Sequence, residues 1–337
     1  MTAALRTCLA LVCLLASQCG LAQATRITVS VPGPGAASYL PLALASRIGA
    51  DKAEGIELNL RYVAGGGVAI QEMLSGNAEF AMLGLPAAMS ARLKDNRIVA
   101  LAAVNDLPLY VLLVRSSLKG KVRTVADLRG RVIGVHSNSI TTKTNSHQLI
   151  ELLLRQAGVA PESVRFVSVG QRWSSEAAML AEASADAVMG DEPHAARMVA
   201  EGTAFQLLHL GEPGVAAGIP GGGFLRGTLV GRRDRIDADP KKAEVMVRIL
   251  RRTLAWIASH SPDEIIALSG IEDPTERRYM RETLRRYPRQ YSSDGRFSQR
   301  QLQETEIFFR NSQAGSEAAQ AFRVESMIMD RWAGRKE

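Results

Sequence analysis

Cysteine is nearly absent from this chain. The 337 residues hold three, Cys8, Cys13 and Cys19, all at the extreme N-terminus. Once that segment is removed no thiol remains, which excludes disulfides, iron–sulfur ligation and a cysteine nucleophile. Aromatic residues make up 5%, too few for a cleft of stacked rings, so a flat-ring ligand is disfavoured. The five histidines form no HExxH or similar spacing, so no metal site is expected. No GxSxG elbow occurs. The stretch GGGVAI is followed by no Gly-Lys-Ser/Thr and lacks GxGxxG spacing, which argues against a nucleotide loop. No cofactor is implied.

The N-terminus has a clear pattern. Arg6 supplies a positive region, Cys8–Ala16 (CLALVCLLA) is apolar but too short to span a membrane, and Ala22-Gln23-Ala24 matches a small-x-small cleavage rule. This reads as a secretory signal peptide, residues 1–24, cut after Ala24. A lipid anchor through Cys19 would want a small residue before it, and Gln18 stands there. The formal net charge of +7 comes largely from pairs such as Arg251-Arg252, Arg277-Arg278 and Arg285-Arg286. They alternate with glutamates on helical patterns and match no nucleic-acid fold signature, so they form a solvated basic face and predict no nucleic-acid partner.

From Ile27 onward short apolar strands alternate with amphipathic helices, which predicts an α/β fold with a mainly parallel sheet. Strands are expected at Ile27–Pro32, Ile56–Val63, Phe80–Leu83 and Ile98–Val104. Tyr110–Val114 reads as a crossing segment. The rhythm restarts with strands at Arg131–Val135, Arg165–Val169, Asp186–Gly190 and Phe205–Leu210. After GIPGGG (Gly218–Gly223), Phe224–Gly231 (FLRGTLVG) reads as a strand returning, and Pro240–Trp332 is helical. The chain length suits two compact units. The expected division is 25–110 plus 225–337 for one lobe and 111–224 for the other, joined near Asn105–Val114 and Ala217–Gly231, with the C-terminal helices on the first lobe.

Four stretches carry a family resemblance: YLPLALASRIGADKAEGIELNL, GGGVAIQEMLSGNAEFAMLG, TVADLRGRVIGVHSNS and DAVMGDEPHA. In this order they resemble the periplasmic substrate-binding proteins for nitrate, sulfonates, taurine and thiamine-pyrimidine precursors. The resemblance implies a two-lobed periplasmic binding protein fold of type II-like topology. It also implies a monomeric, non-enzymatic, periplasmic receptor that passes a solute to an ABC importer permease. Two alternatives stay open: an enzyme of thiamine or quinone biosynthesis on the same scaffold, and a sensor partner that binds without transport. One enzymatic branch of the superfamily relies on a cysteine cluster that this chain lacks.

Ligands of open α/β sheets bind at the carboxyl ends of strands. The candidates there are Gly35, Ser38 and Tyr39; Gly65, Gly66 and Gly67; Gly84; and His136, Ser137, Asn138, Ser139 and Thr141. Arg172 and Asp191 join them as possible charged contacts. Most offer backbone amides or hydroxyls at helix starts, a chemistry that suits a small anion, sulfonate-like or carboxylate-like. Alone, the glycine triplet is equally well explained as a tight strand–helix turn. Lys143, Glu192 and Trp173 read as surface or helix-start residues, and Pro193 as a first-turn proline.

Overall fold

A computed structural model describes residues 25–138 and 142–336. The expected signal segment with its cleavage point, and the candidates Ser139 and Thr141, lie outside the described residues.

Two five-stranded sheets organise the chain. The first contains β1 (Thr25–Pro32), β2 (Ile56–Val63), β3 (Phe80–Leu83), β4 (Ile98–Asn105) and the late strand β10 (Gly227–Arg232), in the order β2-β1-β3-β10-β4. The second contains β5 (Tyr110–Arg115), β6 (Val132–His136), β7 (Arg165–Val169), β8 (Ala187–Asp191) and β9 (Ala204–His209), in the order β7-β6-β8-β5-β9. One topology is used twice. In each sheet three neighbouring strands run parallel, and the strand that follows a crossing, β10 or β5, inserts antiparallel between the others.

Tyr110–Arg115 is therefore not a bare crossing segment. It is paired on both sides, with β8 and β9, and its first five residues are buried. A continuous apolar run is what a strand covered on both faces requires, so the run LYVLLV fits this position.

Helices α1 (Leu40–Arg47), α2 (Gly66–Leu74) and α3 (Leu85–Arg92) follow the first three strands, and α4 (Asn145–Gln156), α5 (Trp173–Ala181) and α6 (His194–Ala200) follow their counterparts. The C-terminal part adds α7 (Arg233–Ala238), α8 (Pro240–Ser259), α9 (Pro262–Leu268), α10 (Pro274–Arg286), α11 (Gln299–Ser312) and α12 (Glu317–Ala321). Helices α1, α8, α9 and α10 share one apolar cluster on the first sheet, and α2, α3, α11 and α12 share the other. Helix α11 also reaches the second lobe: Phe309 packs in the first-lobe core, whereas Phe308 packs in the second-lobe core and stacks on Phe224 at 4.2 Å. Among the described residues no helix is long and apolar enough to cross a membrane.

Candidate functional site

The carboxyl ends of the parallel strands of both sheets meet. On the first lobe the residues at that edge are glycines. A Cβ on Gly33, after β1, would lie 1.6 Å from the carbonyl oxygen of Gln171; on Gly65, after β2, 2.6 Å from the carbonyl oxygen of Ser137; on Gly84, after β3, 1.8 Å from Asn145 Nδ2. All three neighbours belong to the second lobe. Gly65 has an extended backbone, φ 174°, that any residue adopts, so what demands glycine there is the close approach of the opposing chain. Backbone hydrogen bonds complete the seam: Gln171 N donates to Ala64 O and Ala37 N to Glu192 O, both at 3.1 Å.

The triplet expected to present bare amides thus divides its work. Gly65 seats the other lobe, Gly66 lines the interior cavity, and Gly67 lies buried within the first turn of α2.

Between the lobes is a cavity of about 10 Å³, room for roughly one water. Tyr39, Gly66, Gly84 and Ala87 line it from the first lobe, and Tyr110, His136, Thr144, Asn145 and Gln171 from the second. Arg226, on the segment entering β10, closes it.

Arg226 is 1% exposed. Its Nη2 donates to Asp191 Oδ2 at 2.9 Å and its Nη1 to the Tyr39 hydroxyl at 3.3 Å, while the guanidinium lies 4.5 Å from the Tyr110 ring centroid. Its Nε has no partner. Burial works against the charge, but Tyr110, Tyr39 and Asp191 around it hold its pKa above the ordinary guanidinium value. Burial likewise pushes Tyr39 and Tyr110 up, with Arg226 opposing, so both remain neutral phenols.

Two carboxylates stand behind the lining. Asp191 accepts from Arg226 and from Gln171 Nε2 at 2.8 Å. Glu176, fully buried, meets His136 Nε2 at 3.0 Å. One ligand atom each of His136, Glu176 and Asp191 falls within 4.8 Å of the others. Each carboxylate has one oxygen engaged, while Asp191 Oδ1 and Glu176 Oε2 are buried without a hydrogen-bond partner; a fixed guanidinium 2.9 Å from Asp191 repels a second cation. The three form a neutralising back wall.

Asn145, the first residue of α4, bridges the lobes. Its Oδ1 accepts from Ala87 N at 2.9 Å, and its Nδ2 has no hydrogen-bond partner. The Tyr110 hydroxyl lies near enough for the amide to influence it, yet no hydrogen bond closes between them.

Of the residues singled out in the sequence, Tyr39, Gly66, Gly84 and His136 reach the cavity, with Asp191 directly behind it. Ser137 shares a hydrogen bond with Ser168 at 2.8 Å, and Asn138 holds His147 and Thr144. Both organise the second lobe. Ser38 is buried outside the lining, and Gly35 faces an outer groove of about 350 Å³ with Tyr62 and Glu276. Arg172 is exposed at the start of α5; the buried neighbour Gln171 takes the place expected of it. Lys143 pairs with Glu151, Glu192 with His209, and Trp173 lies under Arg197.

Sequence reasoning did not single out Arg226, Asn145, Glu176 or Tyr110. Arg226 had a signal, since it is the one charged residue in the otherwise apolar run FLRGTLV, and lone charges in such runs are buried only when paired.

The chain resembles several proteins of known structure across most of its length. A Bordetella bronchiseptica RB50 protein matches with TM-score 0.82 and 21% identity, covering 92% of this chain and 96% of that one. The alkanesulfonate-binding protein SsuA from Xanthomonas axonopodis pv. citri, bound to MOPS, matches with TM-score 0.71, 15% identity and coverage of 92% and 99%. The periplasmic nitrate-binding protein NrtA from Synechocystis PCC 6803 matches with TM-score 0.68, 13% identity and coverage of 91% and 86%. The desulfurization enzyme DSZB shares the fold more distantly, with TM-score 0.54, 16% identity and coverage of 91% and 98%. No curated protein matches at the sequence level. At these identities the likeness establishes the periplasmic binding protein fold. The family model described as NMT1/THI5 like matches residues 38–265, well over half of the sequence, and the chain belongs to that family.

Proposed function

We propose that this protein is a solute-binding receptor that clamps a small organic anion, sulfonate-like or carboxylate-like, between its lobes and presents it to an ABC importer. The observation that carries the reading is Arg226: a fully buried guanidinium bordering the cavity, held by Asp191 and left with an unpartnered Nε, where no carboxylate forms part of the lining. A buried charged donor without a partner is costly, and an oxyanion supplies what it lacks. The sulfonate- and nitrate-binding neighbours support the same ligand class. Since the closed cavity is smaller than an oxyanion head, loading requires the lobes to part, and the ligand favours closure by its greater affinity for the closed form.

Isothermal titration of the chain from Thr25 with nitrate, methanesulfonate and acetate tests this. At least one should bind, and Arg226→Met should abolish the heat. Gly66→Asp, which sets a carboxylate at the cavity wall, should remove anion-induced thermal stabilisation. Absence of binding by the whole panel and by larger sulfonates overturns the reading.

The buried His136–Glu176 pair, together with the fold shared with DSZB, favours a second reading, catalysis on an organic anion. Incubation with candidate sulfinates and sulfonates separates the two: product exceeding one equivalent per protein would replace the receptor with an enzyme.

A further inference from the structure

Asn145 has the two ends of its amide committed to different tasks. The carboxamide oxygen accepts from Ala87 N, in the first turn of α3 on the opposite lobe. That donor fixes the orientation of the amide, because reversing it would set two donors against each other. The nitrogen then faces the cavity wall at Gly84 and is buried without a partner. One turn along α4, Gln148 Nε2 donates to Pro86 O and Ser90 Oγ, each at 3.2 Å. The same face of α4 is thus bonded to the start of α3, but within it only Asn145 also borders the cavity.

We propose that Asn145 is a positioning residue that couples occupation of the cavity to lobe closure, and that its Nδ2 selects ligands bearing a second acceptor oxygen besides the one that meets Arg226. The inference rests on the receptor reading above. A ligand held between Arg226 Nε and Asn145 Nδ2 satisfies both orphaned donors, and through the Asn145 carboxamide it reinforces the bond to Ala87 that exists only while the lobes are together. Gly84 is the other half of the device. A side chain there would occupy the space of the amide, while the backbone of Gly84 (φ −70°, ψ 139°) needs no glycine for its own sake.

The test pairs affinity with shape. Asn145→Asp keeps an acceptor for Ala87 N and replaces the donating nitrogen by a carboxylate oxygen. Relative to wild type it should weaken methanesulfonate binding about 10-fold or more, the loss expected for one hydrogen bond to a charged group. It should also suppress the fall in radius of gyration that the anion induces in small-angle scattering, and the carboxylate oxygen it buries without a partner should lower the thermal midpoint of the unliganded protein. Asn145→Ser, which restores a donor, should recover part of the affinity. Independently of any ligand, Gly84→Val should enlarge the unliganded radius of gyration. If wild type binds methanesulfonate and Asn145→Asp binds it within 2-fold with normal compaction, the coupling role is wrong and the receptor reading survives. If wild type binds neither methanesulfonate nor the wider anion panel, both fall. An unchanged radius for Gly84→Val overturns the role assigned to Gly84.

Discussion

The two lobes share one strand topology but finish their strands differently. At the ends of β1, β2 and β3 the first lobe places Gly33, Gly65 and Gly84; at the corresponding ends of β6, β7 and β8 the second places His136, Gln171 and Asp191. One jaw is bare backbone and the other carries the side chains. The difference is complementary, because each glycine gives up the volume that a residue of the opposing lobe fills. The bare strand ends of the first lobe make room for the opposing lobe, and most polar side chains of the cavity come from the second lobe and from Arg226, which arrives with the returning strand.

The largest expected effect breaks the charge shared by the two jaws. Arg226→Met leaves Asp191 buried and unpaired, and removal of one partner of a buried pair costs about 3–5 kcal/mol. Urea denaturation should show this, and the double variant Arg226→Met/Asp191→Leu should recover most of the stability while still failing to bind anions. A full loss in the double variant would mean that the pair does more than neutralise itself.

Next in size is the seam. Gly65→Val drives a side chain against the Ser137 backbone, which cannot rotate aside. The expected outcome is a more open protein by small-angle scattering with circular dichroism unchanged. Gly66→Ala sharpens the contrast: its Cβ would meet only Leu83, of its own lobe, at 3.4 Å. In a helix, alanine is favoured over glycine by up to about 1 kcal/mol. That variant should keep wild-type compactness and be as stable or slightly more so.

The smallest effect concerns pH. Glu151 on α4 is buried, which raises its pKa, but the hydrogen bonds and charges of His147 and Lys143 outweigh burial and hold it below the ordinary value of 4.5. A depressed carboxylate stabilises the fold above its unfolded pKa, and the contribution fades as pH falls through the folded value. Glu151→Gln should therefore lower the thermal midpoint modestly at neutral pH and flatten its acid limb, so that variant and wild type converge as pH falls below about 4.5.

Much of the architecture was legible because it is written locally. Alternating runs such as IELNLRYV, continuous apolar ones such as IVALAAV, and glycines closing helices specify elements through periodicity alone. The role of LYVLLV was less legible. A strand buried on both faces and a linker passing through a core have the same apolar signature, and pairing partners 73 to 98 residues away decide between them. Tyr39, Gly66, Gly84 and His136, which line the cavity, lie at strand ends or in the loops that lead from them into helices, a position that the sequence reports. Asn145 and Glu176 carry no such positional signal, since the first opens α4 and the second lies within α5.

What the sequence determined by itself was the family, the repeated α/β rhythm and a polar edge with little aromatic surface, because each of these is a property of neighbouring residues. The tertiary structure alone decided that Gly33, Gly65 and Gly84 receive the opposing lobe, and that Arg226, Asp191 and Asn145 converge on one cavity. Arg226 and Asp191 are 35 residues apart, and Asn145 and Ala87 are 58 apart. Contacts across such separations exist only once the two sheets are brought face to face.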